Sequence, residues 1–168
     1  MQKVGIFYGS STGNSEFAAK QIQKEFGATV ATIYDVSEAK TSDVEQYSNL
    51  IFGCSTLEIG KLEYDFEDFM PQLKAANLEG KKIAIFGLGD QESYPDSFVD
   101  SIGIVYEALQ DKGCHVVGKV STDGYNYDES RGEVDGQFMG LPLDEENQGD
   151  MTDERIKNWV EQLKNEFD

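Results

Sequence analysis

Residues 4–15 read Val4-Gly5-Ile6-Phe7-Tyr8-Gly9-Ser10-Ser11-Thr12-Gly13-Asn14-Ser15. An apolar run of strand length ends in a loop of small, hydroxyl-bearing residues. A helical pattern with Ala18, Ile22 and Phe26 spaced by four follows. A strand feeding such a loop into a helix N-terminus builds a phosphate cradle. Small residues let the backbone wrap the anion, the N–H groups point inward, and the helix terminus adds partial positive charge. No Lys, Arg or His stands between Val4 and Ala19, so every donor at this cradle is neutral. That excludes a P-loop nucleotidase, which needs a Lys on the phosphates and a Ser or Thr on magnesium. A plain turn followed by a helix cap uses the same residue types, and the loop alone leaves both readings open.

Outward from this loop, strand and helix patterns alternate. Apolar runs of strand length lie at 4–8, 29–34, 49–54, 82–88 and 115–120. Between and after them come helical spacings: Phe66, Phe69, Met70 and Leu73; Phe98, Ile102, Val105 and Leu109; Ile156, Trp159, Val160, Leu163 and Phe167. Residues 40–47 read as a shorter, weaker helix. Thr152 suits a helix cap, with Asp153 and Glu154 at the positive end of the dipole. Five β-α units in 168 residues predict one domain over residues 1–168, a doubly wound parallel sheet with helices on both faces. Ligands of such folds bind beyond the carboxyl ends of the strands where strand order reverses, which selects the loops 10–15, 55–63 and 89–97. Residues 121–137 are polar and punctuated by aromatics, and an apolar run resumes at 138–143. The expectation is an insertion that splits the last, edge strand, where Pro142 is tolerated because it donates nothing to a ladder.

Hydrophobic residues make up 39% of the chain, enough for a globular core, and no apolar run reaches membrane-span length. The opening MQKVGIFYG runs straight into a strand with no signal segment, so a cytoplasmic protein or a mature organelle protein is expected. Cys54 and Cys114 form no metal or redox spacing and read as inert core thiols. The net charge of −18 argues against nucleic acid and anionic membranes and predicts basic protein partners. Its distribution sharpens this. Residues 58–68 hold Glu58, Glu63, Asp65, Glu67 and Asp68 against Lys61, and residues 90–100 hold Asp90, Glu92, Asp96 and Asp100 with no base. An acidic rim around the ligand loops is expected.

The third loop offers Asp90 to accept a ring N–H and Tyr94 to stack on a flat ring, unless Tyr94 merely packs on the surface. The second offers Thr56 near the phosphate and an apolar flap ending in Gly60. A neutral phosphate cradle, two walls and a polar edge suit a planar ring joined to a terminal phosphate, and flavin mononucleotide (FMN) is the candidate.

With these loops in hand, the chain resembles the flavodoxins of the long-chain type over essentially its whole length. The resemblance rests on GSSTGNS at 9–15, CSTLEIGKLEYDFEDF at 54–69, FGLGDQESYPDSF at 86–98, STDGYNYDES at 121–130, GQFMGLPLDEENQ at 136–148 and TDERIKNWVEQL at 152–163. It implies a flavodoxin-like five-stranded parallel sheet of order 2-1-3-4-5. It implies that Ser10, Ser11, Thr12, Gly13, Asn14 and Ser15 hold the FMN phosphate, helped by Thr56. Tyr94 would stack on the outer ring face, and Asp90 with backbone groups such as Gly89 would bind the pyrimidine edge. The Glu58–Ile59 peptide, in the flap ending at Gly60, would turn its carbonyl to the protonated N5. Ser97 stands where Asn is common, and Asp144 and Glu146 would lie near the ribityl chain. The implied role is a low-potential one-electron carrier working through a stabilised semiquinone and a hydroquinone, not an enzyme. The implied partners are basic-faced redox proteins, such as a ferredoxin/flavodoxin-NADP reductase, a 2-oxoacid oxidoreductase or a photosystem-type donor, met by a monomer. One departure stands out: the inner ring face, usually covered by Trp, falls to Leu57, and the only Trp is Trp159 on the last helix.

Two other classes share parts of this pattern. A receiver domain needs clustered acids after the first strand and an Asp ending the third, where this chain has Tyr8-Gly9-Ser10 and Cys54-Ser55. An FMN-dependent NAD(P)H or quinone reductase has to attract a dinucleotide or quinone, yet only Lys61 is basic in the three loops. An acidic rim would repel a dinucleotide's phosphates. His115 reads as a surface histidine at a strand start.

Overall fold

A computed structural model describes residues 1–168. The chain runs β1 (Val4–Gly9), α1 (Asn14–Phe26), β2 (Ala31–Asp35), α2 (Thr41–Glu45), β3 (Asn49–Leu57), β4 (Lys61–Leu62), α3 (Tyr64–Ala75), β5 (Lys82–Leu88) and α4 (Asp100–Leu109). Four short strands follow: β6 (His115–Val116), β7 (Val120–Ser121), β8 (Glu133–Val134) and β9 (Gln137–Phe138). Then come β10 (Leu141–Leu143), α5 (Glu145–Gln148), a 3₁₀ turn at Gly149–Met151 and α6 (Thr152–Glu166). None of the helices is long and apolar enough to cross a membrane.

The main sheet is ordered β2-β1-β3-β5, with β6 and β10 sharing the next position on β5. All these pairings are parallel: β6 pairs with Lys82 and Ile83, and β10 with Phe86, Gly87 and Leu88. The order is the expected 2-1-3-4-5, with the last strand split in two. Side-chain alternation sends Phe7, Leu50, Phe52, Ile83 and Ile85 to one face, and Ile6, Ile51, Ala84 and Phe86 to the other. The first face packs against Phe66, Phe69 and Leu73 of α3 and Ile102 and Val105 of α4. The second packs against Ala18 and Ile22 of α1 and Ile156, Trp159 and Val160 of α6. Because both faces are covered, the strands read as continuous apolar runs.

The split occurs sooner than the apolar run at 115–120 implies. Only His115–Val116 pair with β5. Gly118 then takes a left-handed backbone (φ 76), and Val120 joins a separate antiparallel sheet, β7-β9-β8. The Trp159 indole N–H donates to the Gly118 carbonyl at 2.8 Å, and a side chain at 118 would collide with that ring. The insertion packs by its aromatics. Phe98, Tyr125, Tyr127 and Phe138 form a cluster with Tyr127 and Phe138 centroids 5.2 Å apart, and the Arg155 guanidinium lies 4.1 Å over the Tyr125 ring. Both cysteines are unpaired, and burial pushes both thiols up, in keeping with inert packing roles.

The insertion's backbone lies directly on α4, where an added Cβ on Gly103 would sit 2.3 Å from the Arg131 carbonyl oxygen. Gly103→Ala therefore sets two effects against each other. Helix propensity favours Ala by about 1 kcal/mol, while a contact that backbone atoms must absorb costs about 1–3 kcal/mol. The contact should win: the urea midpoint should fall, and a stabilised variant would refute this packing.

Candidate functional site

The carboxyl ends of β1, β3 and β5 open into a cleft of about 270 Å³, at the point where the chain reverses direction across the sheet. Thr12 and Asn14 reach it from the first loop. Ser55, Thr56, Leu57 and Glu58 reach it from β3, with Leu88, Gly89, Asp90, Tyr94 and Ser97 from the β5–α4 loop. Glu145 and Glu146 of α5 complete the lining, which contains no Lys, Arg or His.

The first loop divides its residues between frame and cleft. Gly13 precedes α1 in a left-handed conformation (φ 95) with open space where a Cβ would stand, so conformation rather than room calls for Gly. Its N–H donates to Ser10 Oγ at 2.9 Å, which curls the loop, and its carbonyl accepts the Phe17 N–H at 3.0 Å to start the helix. Ser15 is buried, its Oγ 3.2 Å from Ser55 Oγ. Ser11 turns away from the cleft and donates to Glu63 Oε2 at 2.5 Å. Thr12 and Asn14 thus line the cleft, while Ser10, Ser11, Gly13 and Ser15 shape the loop behind them.

Two expectations from the second loop change. The flap is a hairpin: β3 runs on to Leu57 and turns back into β4, pairing Leu57 with Lys61 and Thr56 with Leu62. Glu58 (φ 42) and Gly60 (φ 74) take left-handed backbones at the turn, and Ile59 stands 81% exposed at its tip. Thr56 does not approach the first loop; its Oγ1 accepts from the Ser101 N–H of α4 at 3.0 Å. Alternation along β3 sends Ser55 to the α1 side and Thr56 to the α4 side, so Ser55 is the residue that meets the cradle. That signal is present in the strand's period of two.

The third loop is organised by carboxylates. Asp90 Oδ1 accepts from the Ser93 N–H (2.9 Å), the Glu92 N–H (3.2 Å) and Asn147 Nδ2 (2.8 Å). Burial pushes this carboxyl up, but these hydrogen bonds outweigh it and hold the group below the ordinary carboxylate range. Oδ2 takes none of these bonds and remains an anionic acceptor at the cleft. Tyr94, 45% exposed, follows on a turn closed by its N–H to the Asp90 carbonyl. Ser97 is buried and also lines the cleft.

Asp144 was expected beside a ribityl chain; it is instead fully buried. Its Oδ2 accepts from the Gln91 N–H, Gln91 Nε2 and Asn147 Nδ2, and its Oδ1 from the Asn147 N–H. Both oxygens are committed to capping α5 and tying it to the third loop, which leaves Glu146 and Glu145 to face the cleft. The acidic rim is also thinner than its composition. Glu63, 1% exposed, caps α3 through the Asp65 and Phe66 N–H groups. Asp100, 6% exposed, accepts the Arg131 N–H at 2.8 Å, and burial pushes its carboxyl up. Glu58, Glu67, Asp68, Glu92 and Asp96 stay exposed.

A phosphomonoester joined to a flat ring fits this donor set. The amides opening the 13-residue α1 and the hydroxyls of the loop suit an anion, Leu57 and Tyr94 suit ring faces, and Asp90 suits a ring N–H. Comparison with known proteins agrees. The Flavodoxin family model matches residues 6–159. The flavodoxin of a Nostoc strain is 48% identical over 166 residues, covering 99% of this chain and 98% of that protein. The flavodoxin of Haemophilus influenzae is 42% identical over 168 residues, covering 99% and 97%. Fusobacterium nucleatum flavodoxin, solved bound to flavin mononucleotide, superposes with a TM-score of 0.95 at 32% identity over all of both chains. With the family model spanning both halves of the cleft, this chain belongs to the flavodoxin family.

Proposed function

We propose that this chain holds FMN in the cleft at the ends of β1, β3 and β5 and acts as a one-electron carrier between redox proteins. As a flavodoxin it is an FMN-dependent carrier rather than an enzyme. One observation carries the assignment of residues: a single cation-free cleft joins the cradle at the start of α1 to Leu57, Asp90 and Tyr94. When bound, FMN supplies the redox chemistry. The loop amides and the Thr12 and Asn14 side chains would hold its phosphate. Leu57 and Tyr94 would exclude water from the ring, and Asp90 Oδ2 would accept a hydrogen bond from its imide N–H. The Glu58–Ile59 peptide lies in an exposed hairpin turn with left-handed residues on either side of Ile59, so it is free to turn a carbonyl toward the ring. A reductase reading is not favoured, because nothing basic lines the cleft to receive a dinucleotide's phosphates.

Redox-protein partners follow from the family. We infer that they are basic-faced, such as a ferredoxin/flavodoxin-NADP reductase, a 2-oxoacid oxidoreductase or a photosystem-type donor. The net charge of −18 and the exposed acids Glu58, Glu67, Asp68, Glu92 and Asp96 support this, with apolar Ile59 exposed among them. A monomer belongs to the same proposal, as does a reducing, cytoplasmic setting, which the two unpaired thiols support. So does a single domain over 1–168, supported by both core clusters sharing one sheet.

The phosphate assignment is tested by Thr12→Val. It should weaken FMN by about 1–3 kcal/mol and riboflavin by less; equal losses in fluorescence titrations of the FMN-free chain would overturn it. Leu57→Trp should tighten FMN by about 0.5–1.5 kcal/mol, the value of an aromatic pair. Overpacking of about 1–3 kcal/mol competes, but Leu57 is half-buried beside a solvent-exposed turn, which gives the larger ring room. Weaker FMN binding would show that the hairpin is too tightly closed. Glu67→Lys should slow association with a basic redox partner and flatten its salt dependence while FMN stays bound. Stopped-flow rates unchanged by both the substitution and salt would refute the steering surface.

A further inference from the structure

Glu63 is the one carboxylate that touches the phosphate loop from behind. It is 1% exposed, and its Oε2 accepts the Ser11 hydroxyl at 2.5 Å. It also accepts the Asp65 N–H at 3.1 Å and the Phe66 N–H at 3.0 Å. An added Cβ on Gly9, the last residue of β1, would lie 2.4 Å from its Oε1, so the charge is pressed against the strand end that begins the loop. An ionised carboxylate is an acceptor only. The Ser11 proton is therefore directed to Glu63 and is withheld from any anion in the cleft. The cap uses both oxygens, Oε1 for the Phe66 N–H and Oε2 for the Asp65 N–H, but it does not require the further bond from Ser11 on Oε2.

We propose that Glu63 is a specificity-determining residue of the cradle, which weakens its hold on the phosphate group by withholding the Ser11 hydroxyl and setting a like charge behind the loop. The proposal rests on the reading that residues 10–15 hold the flavin phosphate. It makes the cradle selective by restraint. FMN is retained through its ring contacts as well as its phosphate, and a phosphomonoester without the ring is held poorly. A Gln at 63 keeps a carbonyl for the Phe66 N–H, gives up the bond to the Asp65 N–H, removes the charge, and offers an amide N–H to Ser11 Oγ, which turns the serine proton toward the cleft.

The test is titration of the FMN-free full chain with FMN and with riboflavin. Glu63→Gln should tighten FMN on the order of tenfold, as expected for relief of a like charge at an effective dielectric near 20, and leave riboflavin unchanged. Ser11→Ala, which leaves α3 capped, should change FMN by no more than about twofold in the native background. In the Glu63→Gln background it should cancel part of the gain. A Glu63→Gln protein that binds both flavins more weakly would reduce Glu63 to a cap, and one that loses FMN alone would make the carboxylate an organiser of the cradle; either overturns the proposal. So does a Ser11→Ala protein that loses FMN about tenfold with riboflavin unaffected, since Ser11 would then donate to the phosphate, and this variant serves if Glu63→Gln does not fold. Thr12→Val separates the two readings. If it shifts the FMN-to-riboflavin ratio and Glu63→Gln does not, the cradle stands and the role of Glu63 falls. If neither shifts the ratio, the cradle assignment falls with it.

Discussion

Parallel strands force every crossover to return the chain to the same end of the sheet, so the loops after β1, β3 and β5 all emerge at one edge. The strand order runs outward from β1 to β2 on one side and from β1 through β3 to β5 on the other. The first and third loops therefore part around the end of β3, and the gap between them is the cleft. The phosphate loop, the β3 hairpin and the Asp90–Tyr94 loop meet there although they are far apart in sequence.

Around that cleft an acidic chain does with backbone amides what other chains do with cations. Three buried carboxylates each take oriented N–H groups: Glu63 at the start of α3, Asp144 at the start of α5, and Asp100 on the Arg131 backbone of the insertion. Charge-assisted hydrogen bonds to N–H groups are stronger than neutral ones and leave helix termini satisfied. The cradle at α1 repeats this chemistry for an external anion. The same acids that count toward the charge of −18 therefore divide into two populations. One holds loops in place from inside, and the other faces solvent and shapes the field met by a partner.

The insertion is anchored rather than appended. Its aromatics pack on Phe98, its Arg131 backbone presses on Gly103, and Tyr125 is sandwiched between this cluster and Arg155 of α6. Tyr125 also donates its hydroxyl to the Pro142 carbonyl at 2.7 Å, and Gln91 in the third loop accepts the Asn126 N–H. The segment that interrupts the last strand thus braces both the strand's resumption and the loop carrying Asp90 and Tyr94.

The amino-acid sequence by itself determined the alternation of strands and helices, the strand order through its motifs, the interruption of the last strand and the loops that bear the site. Each is written in local periodicity, in turn chemistry or in a family pattern spanning contiguous residues. What only the tertiary structure decided is where charged and hydroxyl side chains point. Glu63 and Asp100 read as acids of the rim and Asp144 as a group beside the ribityl chain, yet all three are buried, and their partners are mainly backbone N–H groups, which nearly every residue type carries and side-chain identity does not mark. Ser11 reads as a phosphate donor until Glu63, 52 positions away, claims its proton. Gly118 reads as one more residue of an apolar run until the indole of Trp159, 41 positions away, occupies the space beside it. Hydrophobic period is a property of neighbours along the chain, whereas the choice of a hydrogen-bond partner is settled only when distant segments are brought within 3 Å of one another.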